Sequence, residues 1–235
     1  NENPDLLHFP QWDCLSFDWL KLSSSIPKVL TIHDVIPLEF PDHYPLGIKA
    51  CFNLPIQKIL LNQAKFIITD SMASVRSLHK YLNIPHGKLK YIYLGIDSRI
   101  KPTSQKPKTK LPSKYAIYTG GINWNKNLVS LTKVCLDLNL PLVIVGREAT
   151  NIDNLDTNEP ELRHVADLQQ LWKHKNIYRL GYVEYEELNR IINHASGRGF
   201  EITEKNLAVA KFANVFMFSP QFKVSRLAFL KDVTT

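Results

Sequence analysis

The stretch FIITDSMASVRSLHKYL, residues 66–82, decides the fold. Its first four residues are apolar and mostly β-branched or aromatic, too short a run for a core helix and suited to a strand buried on both faces. Ser71 then stands as a helix N-cap, and Met72, Val75, Leu78 and Leu82 recur at helical spacing with Arg76 and Lys80 on the other face. Pro85 and Gly87 close the segment, and residues 91–94 read as the next strand, stopped by Gly95. Upstream, residues 29–32 make a matching buried strand. Strand, turn, helix, strand is the grammar of a βαβ unit.

The same grammar returns further along the chain. Residues 115–119 read as a strand, Gly120 and Gly121 as a turn, and Leu128, Leu131, Val134, Cys135 and Leu138 as one helical face. Residues 142–145 are the next strand, ended by Gly146, and residues 148–159 read as an acid-rich loop. Pro160 suits the first position of a helix carrying Leu162, Val165, Leu168 and Trp172. Residues 177–180 return as a strand, and residues 186–195 form a final helix with Leu188, Ile191, Ile192 and Ala195 inward. Between the two series, residues 101–112 hold Lys101, Lys106, Lys108 and Lys110 among three prolines, with no acid, which reads as a solvated tether. The expected architecture is α/β, with two doubly wound parallel-sheet domains, both incomplete. Residues 1–100 form part of the first, 101–112 the linker and 113–196 the start of the second. Residues 197–235 break the pattern, with a helix at 201–213 and a strand at 215–218 as the readings on offer.

Composition sets the bounds. Of 235 residues 44% are hydrophobic and 10% aromatic, with only 9 glycines, which supports a packed core and excludes collagenous or disordered chains. No apolar run approaches the roughly 18 residues of a membrane span, and no basic start followed by an apolar core reads as a signal peptide. Cys14, Cys51 and Cys135 are widely spaced, which suits a reducing compartment and buried small hydrophobes better than disulfides or zinc. The net charge of +7 favours anionic partners: nucleic acid, an anionic membrane surface or a phosphorylated small molecule. The nucleic-acid reading ranks low, since no basic and aromatic stripe or known binding motif accompanies the charge.

In open α/β sheets ligands gather at the carboxyl ends of the strands, and that rule ranks the polar residues. His33 and Asp34 follow one strand directly; strand-end and turn caps are their plain alternatives. Ser71 follows another strand, where capping a helix outweighs a nucleophile's role. GGINWNKN, residues 120–127, is a glycine turn that could cradle phosphate, with Lys126 supplying a full positive charge, although an ordinary tight turn fits as well. Asp153 and Asp156 lack the spacing of a calcium loop and read as solvated, and His164 and His174 read as lying on or beside an exposed helix face. No metal site is expected.

With these residues placed, the chain resembles a family 4 glycosyltransferase of the GT-B fold. Seven segments carry the resemblance in the family's order: DLLHFP (5–10), VLTIHDVIPLEFPDHYP (29–45), FIITDSMASVRSLHKYL (66–82), YIYLGID (91–97), YTGGINWNKNL (118–128), PLVIVG (141–146) and IYRLGYVEYEELNRIINHA (177–195). The resemblance implies two Rossmann-like domains, the first on the acceptor side and the second binding a nucleotide-diphosphate sugar. It implies transfer of a hexose such as mannose or glucose to a glycan or lipid-linked acceptor, with retention and without metal or other cofactor. His33 would contact the donor sugar near the reacting centre. Gly120, Gly121, Lys126 and Asn127 would hold the donor, with Lys126 stabilising the departing diphosphate, and Gly95 and Asp97 match the family's segment before the linker. A cytoplasmic chain, peripheral at the inner membrane face, is the expected setting.

The chain also departs from the family. No arginine precedes Lys126 in the glycine turn, and the paired glutamates that hold the donor's ribose and sugar are not reproduced by Glu201 and Glu204. Residues 197–235 are therefore expected not to be the family's C-terminal half-domain, through truncation, rearrangement or a change of reading frame. A noncatalytic remnant that binds nucleotide weakly is the alternative function.

Overall fold

The computed structural model describes residues 4–12, 25–95 and 97–195. The chain divides into two compact units, one ending at Gly95 and the other beginning at residue 96. The readings of a helix at 201–213, a strand at 215–218 and buried Cys14 lie outside the described residues.

The first unit is a parallel sheet of β1 (Leu7–Phe9), β2 (Lys28–Thr31), β3 (Phe66–Thr69) and β4 (Leu89–Tyr91), paired in chain order. A short helix α1 (Ile36–Glu39) and the longer α2 (Ile48–Leu61) connect β2 to β3, and α3 (Met72–Leu82) connects β3 to β4. Leu30, Ile32 and Ile67 on the sheet bury against Leu61, Val75, Leu78 and Leu82 on the helices. Each of these large side chains contributes on the order of 2 kcal/mol by leaving water. Ser71 starts α3, its hydroxyl accepting the Ser74 N–H at 3.0 Å, and Asn83 ends it in the left-handed conformation with φ 58°.

Two expectations are corrected here. The fourth strand is Leu89–Tyr91 rather than 91–94: Leu89 aligns with Ile67 and is buried, whereas the side chains of Ile92, Tyr93 and Leu94, beyond the strand's end, are exposed. Cys51 is exposed on α2, while Cys135 is buried as expected, where burial pushes its thiol up to about 12. A single cysteine follows its helix face, whatever its preference for interiors.

The second unit is a parallel sheet of β5 (Ala116–Thr119), β6 (Leu142–Val145) and β7 (Ile177–Gly181). Four successive apolar residues make β6 a strand buried on both sides: Leu142 and Ile144 join one core, Val143 and Val145 the other. The first core is closed by α4 (Leu128–Asp137) and α6 (Val165–Leu171), with Trp172 donating from Nε1 to the buried Thr132 hydroxyl at 3.0 Å. The second is closed by α7 (Tyr185–His194) through Leu188 and Ile191, and buried Tyr115 donates its hydroxyl to the Ile191 carbonyl at 2.8 Å. Helices therefore cover both faces, as a doubly wound unit requires.

The span expected as an acid-rich loop starts as a helix, α5 (Arg147–Asn151), because Ala149 and Ile152 find buried places in the core. Asp153, read as solvated, pairs with Arg179 at 3.1 Å. Pro160 opens a tight turn, Pro160–Leu162, and the helix proper begins only at Val165.

The segment 101–112 is not a solvated tether. Asn189 Oδ1 accepts the Lys101 N–H at 3.0 Å, Asn193 Oδ1 accepts the Thr103 N–H at 3.2 Å, and Asn193 Nδ2 donates to the Lys101 carbonyl at 3.1 Å. Further along, Glu187 Oε1 accepts both the Thr109 N–H at 2.8 Å and its hydroxyl at 2.9 Å. Proline and lysine content predicts an extended chain correctly, but the polar side chains of α7 give that extended backbone its partners. Asn189 and Asn193 are both buried under it.

Candidate functional site

Each unit presents a strand-end site of its own. In the first, the β2–β3 register pairs Thr31 with Ile68, and two residues further the same register sets His33 level with Asp70. There His33 Nδ1 and Asp70 Oδ2 lie 2.8 Å apart. An ionised carboxylate only accepts, so Nδ1 carries the proton and the imidazole presents Nε2 as its other pole. The Thr69 hydroxyl donates to the His33 carbonyl at 3.2 Å, which ties the two strand ends together behind the ring. His33 itself is exposed at the sheet's carboxyl edge.

The neighbouring candidates have structural employment. Asp34 Oδ1 accepts the Ile36 N–H at 3.1 Å and caps the turn into α1, while Ser71 caps α3. Gly95 lies exposed at the end of the first unit and Asp97 near the start of the second. The Asp97 carboxylate is gripped by Arg99, with its closest contact 2.6 Å. Hydrogen bonds from the Arg99 side chain and backbone hold the Asp97 carboxyl down to about 2. The Arg99 guanidinium in turn stacks 3.4 Å over the Tyr185 ring, so Asp97 anchors a cation at the start of α7.

In the second unit the site is a backbone construction. Gly120 follows β5 with φ 138°, a conformation that a side chain would strain, and its N–H donates to the Val145 carbonyl at 3.0 Å. Gly146 ends β6 and presses on that turn: a Cβ there would overlap the Gly120 carbonyl oxygen. The Tyr118 hydroxyl donates to the Gly121 carbonyl at 2.5 Å, and Glu148 Oε2 accepts the Ile122 N–H at 2.9 Å. Burial, with Glu148 nearby, pushes the Tyr118 hydroxyl up to about 12, so it remains a donor at neutral pH. His164, half-buried and not on an exposed face as its spacing suggests, sets Nε2 2.6 Å from the Ile122 carbonyl. That carbonyl accepts, so Nε2 carries the proton.

Lys126 is exposed at the end of the short turn Trp124–Lys126, and Asn127, left-handed at φ 51°, delivers the chain into α4. The structure thus brings Gly120, Gly121, Lys126 and Asn127 into one turn and interlocks it with the end of β6. Sequence spacing does not reveal Asp70 as the partner of His33, nor Glu148 and His164 as supports of the turn, because each acts from a distant part of the chain, whereas Tyr118 acts from three residues away. Arg147 sits on the same edge, exposed, 5.6 Å from the Tyr182 ring that follows β7. Among the described residues no group of three or more His, Cys, Asp or Glu side chains could hold a metal ion, and no helix is long and apolar enough to cross a membrane.

Comparison with known proteins bears on the first unit directly. Residues 1–99 match the family model described as Glycosyltransferase Family 4. The matched stretch, less than half of the chain, is similar to family 4 glycosyltransferases. It encloses β1–β4 and the His33–Asp70 pair. No curated protein matches the chain. Among solved structures, the chain is similar to one described as accessory secretory protein 1, 2 and 3 in Streptococcus pneumoniae, at 15% identity and a TM-score of 0.33. The similarity covers 81% of this chain and 39% of that one, so the chain spans about two fifths of that chain's length.

Proposed function

We propose that the chain acts in glycosyl transfer as a hexosyltransferase, moving a hexose such as mannose or glucose from a nucleotide-diphosphate sugar to a glycan or lipid-linked acceptor. The observation that carries this reading is the family 4 match over residues 1–99, within which a histidine stands at a strand's carboxyl end with its ring oriented by a carboxylate. In this reading residues 1–100 form the acceptor side and residues 113–196 the donor side. The reaction retains configuration and uses no metal, and the protein works in the cytoplasm, peripheral at the inner membrane face.

The chemistry asks for two things, and the chain offers a candidate for each. Breaking the bond from anomeric carbon to phosphate builds positive charge on the sugar and negative charge on the diphosphate. An oriented imidazole, His33, would meet the first by touching the donor sugar. Lys126, on the turn that Gly120 and Gly121 shape, would meet the second, a stabilisation that grows toward the transition state and so accelerates the step. Asn127 would join them in holding the donor. Asp34, Ser71 and Asp97 would shape the surroundings through the caps and ion pair already described, and Gly95 through its place at the end of the first unit.

The test is a thermal-shift titration with GDP, UDP and ADP sugars, alongside Lys126→Ala. A donor-specific rise in Tm that the variant abolishes supports the reading; loss of one such preorganised charge would lower the transfer rate about a hundredfold or more. A folded chain that no donor stabilises favours the second reading, a noncatalytic remnant. That reading draws on the missing arginine ahead of Lys126 and the unmatched glutamate pair.

A further inference from the structure

Helix α2 is apolar on two opposite faces. Ala50, Gln57 and Leu61 are buried against the first unit's core, yet Ile48 (78% exposed), Phe52 (77%), Ile56 (51%) and Ile59 (70%) form a second stripe that faces away from it. Their spacing of four, four and three residues keeps all four on one side of the helix. Four large apolar side chains in a row on an outer face constitute a patch, unlike singly scattered ones, and a patch implies a partner.

The charges around the stripe identify the kind of partner. Lys49 and Lys58 lie on opposite sides of it, about 65° and about 115° around the helix from its centre line. No Asp or Glu occurs between Asp42 and Asp70, so nothing near α2 in sequence offsets them. The helix ends in more cations: Lys65 is exposed, Lys88 donates to the carbonyls of Asn62 and Ala64, and Lys90 lies 5.7 Å from the Phe66 ring. Two copies of this chain joined through the stripe would bring lysine against lysine. An anionic bilayer surface meets both demands, its acyl boundary taking the apolar stripe and its phosphates the flanking ammonium groups. Fourteen residues are too few to cross a bilayer, so the helix lies along it.

We propose that the outer face of α2 seats the chain on an anionic lipid surface, with Phe52 and Ile56 at the centre of the contact and Lys49 and Lys58 at headgroup level. This deepens the peripheral membrane contact of the reading above and moves it from the segment 101–112, which is docked on α7. The experiment needs neither donor nor acceptor, so it can fail while the transferase reading stands, and the reverse.

The experiment is vesicle co-sedimentation of the purified chain with phosphatidylcholine alone and with about one third phosphatidylglycerol, with a fluorophore on exposed Cys51 in a Cys14→Ser background. Phe52→Ser with Ile56→Ser alters only exposed side chains, and an unchanged thermal melt will show that it folds. The expected result is binding to the anionic vesicles, a blue shift of the probe, and about a tenfold or greater loss of partitioning in the double variant. Lys49→Glu with Lys58→Glu should abolish the preference for anionic lipid. A probe that stays water-like, or a double variant that binds as well as the parent, overturns the proposal. So does a dimer in light scattering that the double variant dissolves while neither chain binds vesicles, which would make the stripe a contact between copies.

Discussion

The two strand-end sites are built from different materials. The first depends on one side-chain pair, His33 and Asp70, at an open sheet edge. The second depends on backbone shape: two glycines locked together, with Tyr118, Glu148 and His164 each gripping a main-chain group of the turn. A site made of one oriented ring is sensitive in rate and tolerant in folding. One made of interlocked backbone reverses that, because its geometry is part of the core's packing.

The strongest test of this contrast is Gly146→Ala. The backbone there is extended and open to any residue, but the added methyl group meets the Gly120 carbonyl, so one turn must move. A loss of about 3 kcal/mol in urea unfolding is expected; a near-neutral result would show that the second site is as loosely held as the first. Asp70→Asn should do the opposite. It keeps the shape and removes the charge that orients His33, costing about a hundredfold in transfer rate through misplacement while stability changes little. A variant with full activity would reduce the pair to a structural detail.

Smaller effects sharpen the picture. Ser71→Ala removes the α3 cap and should cost about 1 kcal/mol with no change in donor binding, separating the capping role from any part in the site. The second unit's habit of holding backbone with side chains extends to Glu187, which grips Thr109. Burial raises the Glu187 carboxyl, but the N–H groups of Thr109 and Lys108, the Thr109 hydroxyl and Arg190 outweigh it, so the net shift is downward. A lowered value means stabilisation that is present above the ordinary carboxylate range and lost as pH falls through the folded value. Thermal melts should therefore show the advantage of the parent over Glu187→Gln shrinking below about pH 4. An advantage that is constant with pH would detach Glu187 from the docked segment.

Much of the fold is legible because local patterns cause it. The runs at Phe66–Thr69 and Leu142–Val145 are strands as their residues predict, and Ser71 caps the helix after the first, but only Leu142–Val145 is buried on both faces: Phe66 is exposed and Ile68 half-buried. Regions misread from sequence are those where a distant element supplies the missing partner. Residues 101–112 have the composition of a tether, yet Asn189, Asn193 and Glu187, some eighty to ninety residues on, help dock them. The acid-rich stretch is helical because Ala149 and Ile152 have a core to enter. Residues 91–94 look like a strand, but pairing is set by where Leu89 meets Ile67.

The sequence by itself determined the alternation of strand and helix, the glycine turn and the placement of His33 and Lys126 after strands, since these follow from spacing and turn chemistry within a few residues. The tertiary structure decided that His33 meets Asp70 and that Gly146 braces Gly120. It also decided that α2 turns a second apolar face outward. These depend on register between strands and on which side of a helix the core lies, and both are settled only when residues far apart in the chain pack together.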